Sequence, residues 1–131
     1  MSNIEEILKN SKVIAVVGLS DNEEKPSNQV AKYLTGEGFT IIPVNPTVES
    51  VLGLKSYPNL SSIPTEIKID IVDVFRKSED VLPVIEETIK LGQKPVIWLQ
   101  EGISNPEAEN LARENGLEVI GGVCLMKAHQ K

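Results

Sequence analysis

Cysteine and histidine are almost missing: Cys124 and His129 are the single representatives of their types in 131 residues. One cysteine builds no disulfide framework, and one Cys with one His makes no zinc-ligating set. Aromatics are scarce too, with two Phe, two Tyr and one Trp, so a core has to be built from Val, Ile, Leu and Ala. Positive charge is the minority, 13 Lys and Arg against 19 Asp and Glu for a net charge of −6. That balance excludes broad nucleic-acid binding, which needs clustered cations. It leaves room for a small polyanion held by a few placed cations and backbone N–H groups. No apolar run approaches the roughly 20 residues of a membrane helix, and the opening MSNIEEILKNSK is too polar and acidic for a signal peptide. The expectation is a soluble, cytoplasmic chain without metal, membrane or nucleic-acid partner; a protein partner is left open.

What is present is an alternation. Ile4, Ile7 and Leu8 start a short amphipathic helix. Val13 to Val17 is a β-branched run broken only by Ala15, the pattern of a strand buried on both faces. Pro26 fits the first turn of a helix whose apolar stripe is Val30, Ala31 and Leu34, with Gly36 or Gly38 stopping it. Thr40 to Val44 is a second strand, with Pro43 where no ladder donor is needed. A short strand or turn falls at Leu54 to Tyr57, and a clear strand, IDIVDVF, at Ile69 to Phe75. Ser78 to Leu91 reads as a helix with an irregular first turn before Pro83. Val96 to Leu99 is a strand. Ser104 to Glu107 offers a capping box for a helix ended by Gly116, and Leu117 to Ile120 is the last strand. Alternating strands and helices without linker or repeat predict one α/β domain over residues 1–131. Its form is a three-layer, Rossmann-like fold: a mostly parallel sheet with helices on both faces.

Such sheets bind ligands beyond the carboxyl ends of their strands. At the first tip stand Gly18, Leu19 and Ser20, followed by Lys25 and Ser27 at a helix start. This reads either as a phosphate cradle or as an ordinary strand-to-helix loop. Asp21, Glu23 and Glu24 must then point to solvent. At the second tip Val44, Asn45 and Pro46 stand where an NAD-binding fold has an acid; by itself this is an Asn-Pro turn. At the third, Phe75 and Arg76 offer a stacking ring and a guanidinium, or a core aromatic and a surface charge. At the fourth, Gln100 and Gly102 offer an amide and room for close approach, or a polar turn. No catalytic set emerges. Asp70 and Asp73 are three apart on a strand and face opposite ways, and Asp73 reads as a structural carboxylate. Cys124 reads as a small core residue.

The segments VVGLS, KPSNQVAKYL, IIPVNP, LGLKSYPNL, DIVDVFR, VIWLQEGISN and the closing Cys124 resemble the small stand-alone CoA-binding proteins of bacteria and archaea over residues 11–126. Those proteins are Rossmann-like and similar to the CoA-binding domain of the succinyl-CoA synthetase α subunit. The resemblance implies coenzyme A, or an acyl-CoA, bound across the carboxyl edge without catalysis of the chain's own. Gly18, Leu19 and Ser20 would meet the phosphates. Lys25 matches the family's basic residue before Pro-Ser, which includes Ser27. Val44, Asn45 and Pro46 match its turn near the adenosine, Phe75 with Arg76 its Phe-Arg tip, and Gln100 with Gly102 its Gln-x-Gly tip. Val123 and Ala128 depart from the family pattern, and a mixed disulfide between Cys124 and the CoA thiol is the alternative to a core role. No part of the sequence corresponds to the synthetases' phosphohistidine domain, so synthetase activity is not implied. The other functional readings are an NAD(P)-binding oxidoreductase-type domain and a detached interaction subunit of an acyl-CoA ligase.

Overall fold

The computed structural model describes residues 3–130. Five strands form one parallel sheet in the order β2-β1-β5-β6-β7: β1 (Val13–Val17), β2 (Thr40–Val44), β5 (Ile71–Val74), β6 (Val96–Leu99) and β7 (Val119–Gly121). Between β2 and β5 a two-stranded antiparallel hairpin joins β3 (Ser50–Val51) to β4 (Leu54–Lys55). The helices are α1 (Asn3–Asn10), α2 (Pro26–Gly36), α3 (Val81–Lys90), α4 (Pro106–Glu114) and α5 (Leu125–Gln130).

Alternation along the strands sends side chains to two cores. Ala15, Val17, Val72, Val74, Ile97 and Leu99 meet α3 and α4 on one face. Ile14, Val16, Ile71 and Trp98 meet α2 and α5 on the other, with Ile4, Ile7 and Leu8 of α1 packed alongside. A continuous apolar run such as VIAVV is required because both faces are covered. Removing a fully buried Ile or Leu side chain from water contributes roughly 1.5–3 kcal/mol, so the two cores supply the driving force that scarce aromatics do not.

Pro43 lies in β2, at the sheet edge. Its carbonyl accepts from Tyr57 N at 3.0 Å on the side away from β1. The missing N–H therefore faces outward, and the ladder to β1 loses nothing.

Three sequence readings need correction. The cap of α4 is Asn105, whose side chain accepts from Ala108 N, while Glu109 reaches back to Asn105 N. The cap thus sits one residue beyond Ser104, with Glu109 rather than Glu107 as its reciprocal partner, because Pro106 takes the first helical position. The last strand runs Val119–Gly121 rather than from Leu117, which turns inward as core. Beyond that strand, where no further element is expected, Leu125–Gln130 form α5: His129 Nδ1 is 2.7 Å from Tyr33 Oη, and its ring meets Tyr33 and Phe39 edge-on. The irregular start of α3 is as expected, a single 3₁₀ turn over Ser78–Asp80 preceding the helix.

The chain leaves β1 for β2 on one side and returns to β5 on the other. The strand order reverses there, opening a crevice above the ends of β1 and β5.

Candidate functional site

Gly18 stands at that crevice with φ +87°. Its N–H donates to Val44 O, and Phe75 N donates to Val17 O, each at 2.8 Å. A Cβ built on Gly18 would lie 2.3 Å from Phe75 O. Only glycine lets the first and third tips approach this closely.

The loop above is held from both ends. Ser20 N donates to Ser27 Oγ at 3.0 Å, and Asn28 Nδ2 donates to Ser20 O at 2.9 Å. Asn45 Nδ2 donates to Leu19 O, while Asn45 Oδ1 accepts from Thr47 N and Thr47 Oγ1. Asn45 is thereby spent on fastening the glycine loop to β2. No side chain caps the N-terminus of α2; Pro26 brings no N–H, and Asn28 N and Gln29 N donate to Lys25 O at 3.1 Å, so the helix dipole and the Ser27 N–H are what this end offers an anion.

A cleft of about 610 Å³ lies over this floor. Of the residues singled out in the sequence, Gly18, Ser20, Lys25, Ser27, Phe75, Arg76 and Gln100 line it together. Leu19 does not, being fully buried in the core. Val44 borders a neighbouring cleft instead, and Asn45 is half-buried beneath the loop. Pro46 and Gly102 are exposed on adjacent turns outside the lining. Asp21, Glu23 and Glu24 are exposed, as a phosphate-receiving loop requires. Pro26, Val30, Lys77, Glu101 and Ile103, not foreseen, also line the cleft, as does Cys124, though buried. Positions 26, 77, 101 and 103 neighbour foreseen residues, so adjacency was the available signal. Val30 carries none, since it reads as core.

Charge is distributed unevenly. Lys25, Arg76 and Lys77 line the cleft and take part in neither of the ion pairs found among the described residues, Arg113–Glu109 and Lys127–Glu101. The acid on this rim, Glu101, is the one paired with Lys127 at 3.4 Å. A second cleft of about 270 Å³ shares Arg76 and is walled by Val17, Val44, Pro58, Pro83 and Val84, with Asp80 and Glu87 at its edge. Arg76 lines both clefts, the larger with the cations Lys25 and Lys77 and the smaller with the acids Asp80 and Glu87.

Under the floor lies Asp73, fully buried on β5. Gln100 Nε2 donates to its Oδ1 at 2.6 Å, and Oδ2 has no partner. Among the described residues Asn28 Oδ1 is the other buried side-chain oxygen without one. Burial pushes the Asp73 carboxyl well above the usual carboxylate range, against the opposing pull of the Gln100 bond. The charged or titratable groups around the same corner are Lys25 ahead of α2, Arg76, Lys77 and Glu101 on the rim, and Cys124 before α5; none bonds Asp73. Asp70, by contrast, accepts from Lys12 N and Val13 N at 2.9 and 3.0 Å and ties the chain at the opposite edge. An unfolded chain releases the Asp73 proton near pH 4, about the ordinary carboxylate value, and the folded chain holds it to higher pH. Stability therefore falls as pH rises between those two values and levels off above the folded one. Urea unfolding across this range should show that slope in the wild type and a flatter line in Asp73→Asn. Parallel lines would mean that Asp73 titrates normally.

Among the described residues no group of three or more His, Cys, Asp or Glu could hold a metal ion, and no helix is long and apolar enough to cross a membrane.

The chain is 44% identical over 128 residues to the uncharacterized protein YneT of Bacillus subtilis, covering 98% of this chain and 93% of that one. It is 31% identical over 122 residues to an ADP-forming acetate–CoA ligase (II) of Archaeoglobus fulgidus, covering 84% of this chain but 18% of that enzyme. Among solved structures, a hypothetical protein from Pyrococcus horikoshii superposes with a TM-score of 0.92 at 42% identity, over 98% of this chain and 88% of that one. An apo dinucleotide-forming acetyl-coenzyme A synthetase of Ca. Korarchaeum cryptofilum superposes with a TM-score of 0.75 at 33% identity, over 88% of this chain and 27% of that one. The single-glycine loop, the parallel sheet and the strand tips fall within residues 12–130, the span matched by the profile of the CoA binding domain, and the chain belongs to that family.

Proposed function

We propose that the chain binds coenzyme A, or an acyl-CoA, across the carboxyl edge of the sheet and catalyses nothing itself. The observation that carries this reading is the meeting of three uncompensated cations and an uncapped helix N-terminus over one glycine loop, in a chain of net charge −6. Cations left unpaired on an acidic protein favour an anionic ligand at that place. Membership of the CoA binding domain family supports CoA as that anion.

The two clefts support one direction of binding. Asp80 and Glu87 edge the smaller cleft and repel phosphate, while Val17, Val44, Pro58 and Pro83 suit a flat base. The adenine belongs there. The phosphates lie between Arg76, Lys77, Lys25 and the start of α2, and the pantetheine arm continues between Pro26, Val30 and Ile103 towards Gln100. One glycine suffices because the remaining donors come from a helix end and basic side chains. Charge-assisted hydrogen bonds contribute about 1.5–3 kcal/mol each, so two or three supply about 3–9 kcal/mol, and burial of the base and the arm adds to this against the cost of association.

Calorimetric titration with CoA, dephospho-CoA and NADP tests this. The expected result is saturable heat with CoA, less with dephospho-CoA and little with NADP. Binding of NADP with none of CoA would return the reading to an NAD(P)-type domain. Relatives among the ligases carry this domain as a small part of a longer enzyme, which makes a CoA-loaded subunit docking on a ligase partner the form in which binding without catalysis has a use.

A further inference from the structure

Asp73 occupies the middle of the sheet, in register with Val16 of β1 and Trp98 of β6. It is 0% exposed. No lysine or arginine pairs with it among the described residues, and its one hydrogen bond is the one donated by Gln100. A carboxylate in such a place lacks both water and a counter-ion, so the uncharged acid is the form that the surroundings favour. A carboxyl kept for packing alone would be better replaced by an apolar side chain of the same size. Here it faces the single amide at the tip of β6 instead.

Gln100 belongs to both layers. It is 5% exposed, yet it lines the cleft beside Ser27 and Cys124. An amide has two distinct ends, a donor and an acceptor. Nε2 is held by Asp73 Oδ1, so Oε1 is the end left for the cleft, and it is not among the buried oxygens without a partner.

We infer that Asp73 is a positioning residue for the ligand. By accepting from Gln100 Nε2 it fixes Gln100 Oε1 towards the cleft as an acceptor for an N–H of the pantetheine arm. The inference rests on the CoA reading and goes further, by assigning how the arm is recognised and by which buried group. An amide free to turn over would present either end and discriminate less. The carboxyl also explains why a polar pair is kept in a floor otherwise built of Val16, Ile71 and Trp98.

The test compares CoA with adenosine 3′,5′-bisphosphate, which carries phosphates and base but no pantetheine arm. Gln100→Ala and Asp73→Leu should each weaken CoA by about ten-fold, as the loss of one well-made hydrogen bond allows, and leave the bisphosphate unchanged. The double variant should be no weaker than either single one, because both remove the same contact. Asp73→Asn keeps an oxygen for Gln100 and should restore CoA affinity to within about three-fold of wild type, a difference under 1 kcal/mol. Should Asp73→Leu fail to melt cooperatively, Asp73→Ser, whose hydroxyl is too short to reach Gln100, takes its place. Additive losses, equal weakening of the bisphosphate, or Asp73→Asn binding as poorly as Asp73→Leu would overturn the inference while leaving CoA binding intact. A wild-type chain that binds neither ligand would overturn the proposed function and this inference with it.

Discussion

Alanine at position 18 is expected to lower the melting temperature by roughly 6–15 °C, from a loss of about 2–5 kcal/mol in a chain of this size. It should also remove CoA binding. Two independent penalties combine. A left-handed backbone costs an L-residue with a Cβ roughly 1–2 kcal/mol, and Gly18 has φ +87°. The new Cβ would also sit 2.3 Å from Phe75 O and 3.1 Å from Phe75 C. These are backbone atoms at the end of β5, so relief requires the strand tip to move. Overpacking of this kind costs about 1–3 kcal/mol. Against a net stability of about 5–15 kcal/mol the sum is large. Gly102 is the control: its φ is +83°, but nothing lies within 4 Å of where its Cβ would be. Gly102→Ala should show the strain alone, roughly 1–2 kcal/mol. Calorimetric melts of the two variants separate close approach from strain, and equal melting points would mean that the first and third tips do not need to touch.

Arg76→Ala is expected to weaken CoA binding by about ten-fold to a hundred-fold, since one charge-assisted contact is worth about 1.5–3 kcal/mol. Folding should be little changed: Arg76 is half-buried and belongs to neither ion pair found among the described residues. It lines both clefts, so it sits where the base and the phosphates of the ligand meet. The loss should shrink as salt rises, because the guanidinium acts partly at a distance through solvent. Pantetheine, which has no phosphate, should bind wild type and variant alike. A dissociation constant for CoA unchanged by Arg76→Ala would take Arg76 out of the site and leave Lys25 and Lys77 to account for the affinity.

The sequence was informative where physics is local. VIAVV, TIIPV and VIWL fall on β1, β2 and β6 with the bounds read from the residues, because a run buried on both faces has no other way to hide its side chains. The rim followed from alternation, since parallel strands bring their carboxyl ends to one edge. What stayed hidden depends on distant partners. Residues 125–130 are short and mixed in character, and they form α5 only because Leu125 enters the core and His129 meets Tyr33 of α2 and Phe39 just ahead of β2. Asn45 looked like a group for the ligand, yet its amide is consumed by Leu19 O, a bond across 26 positions. Asp73 read as a structural carboxylate near the end of its strand. Its hydrogen-bond partner, Gln100, is 27 positions away, beyond the reach of any local pattern.

The most direct measurement is an amide correlation spectrum of the isotope-labelled chain titrated with CoA. The account predicts saturable shifts gathered at the glycine loop and the start of α2, at Phe75 to Lys77, and at Gln100 to Ile103. The polar hollow at the opposite sheet edge, around Lys68, Asp70 and Lys94, should stay silent. Shifts centred on that hollow, or none that saturate, would contradict it.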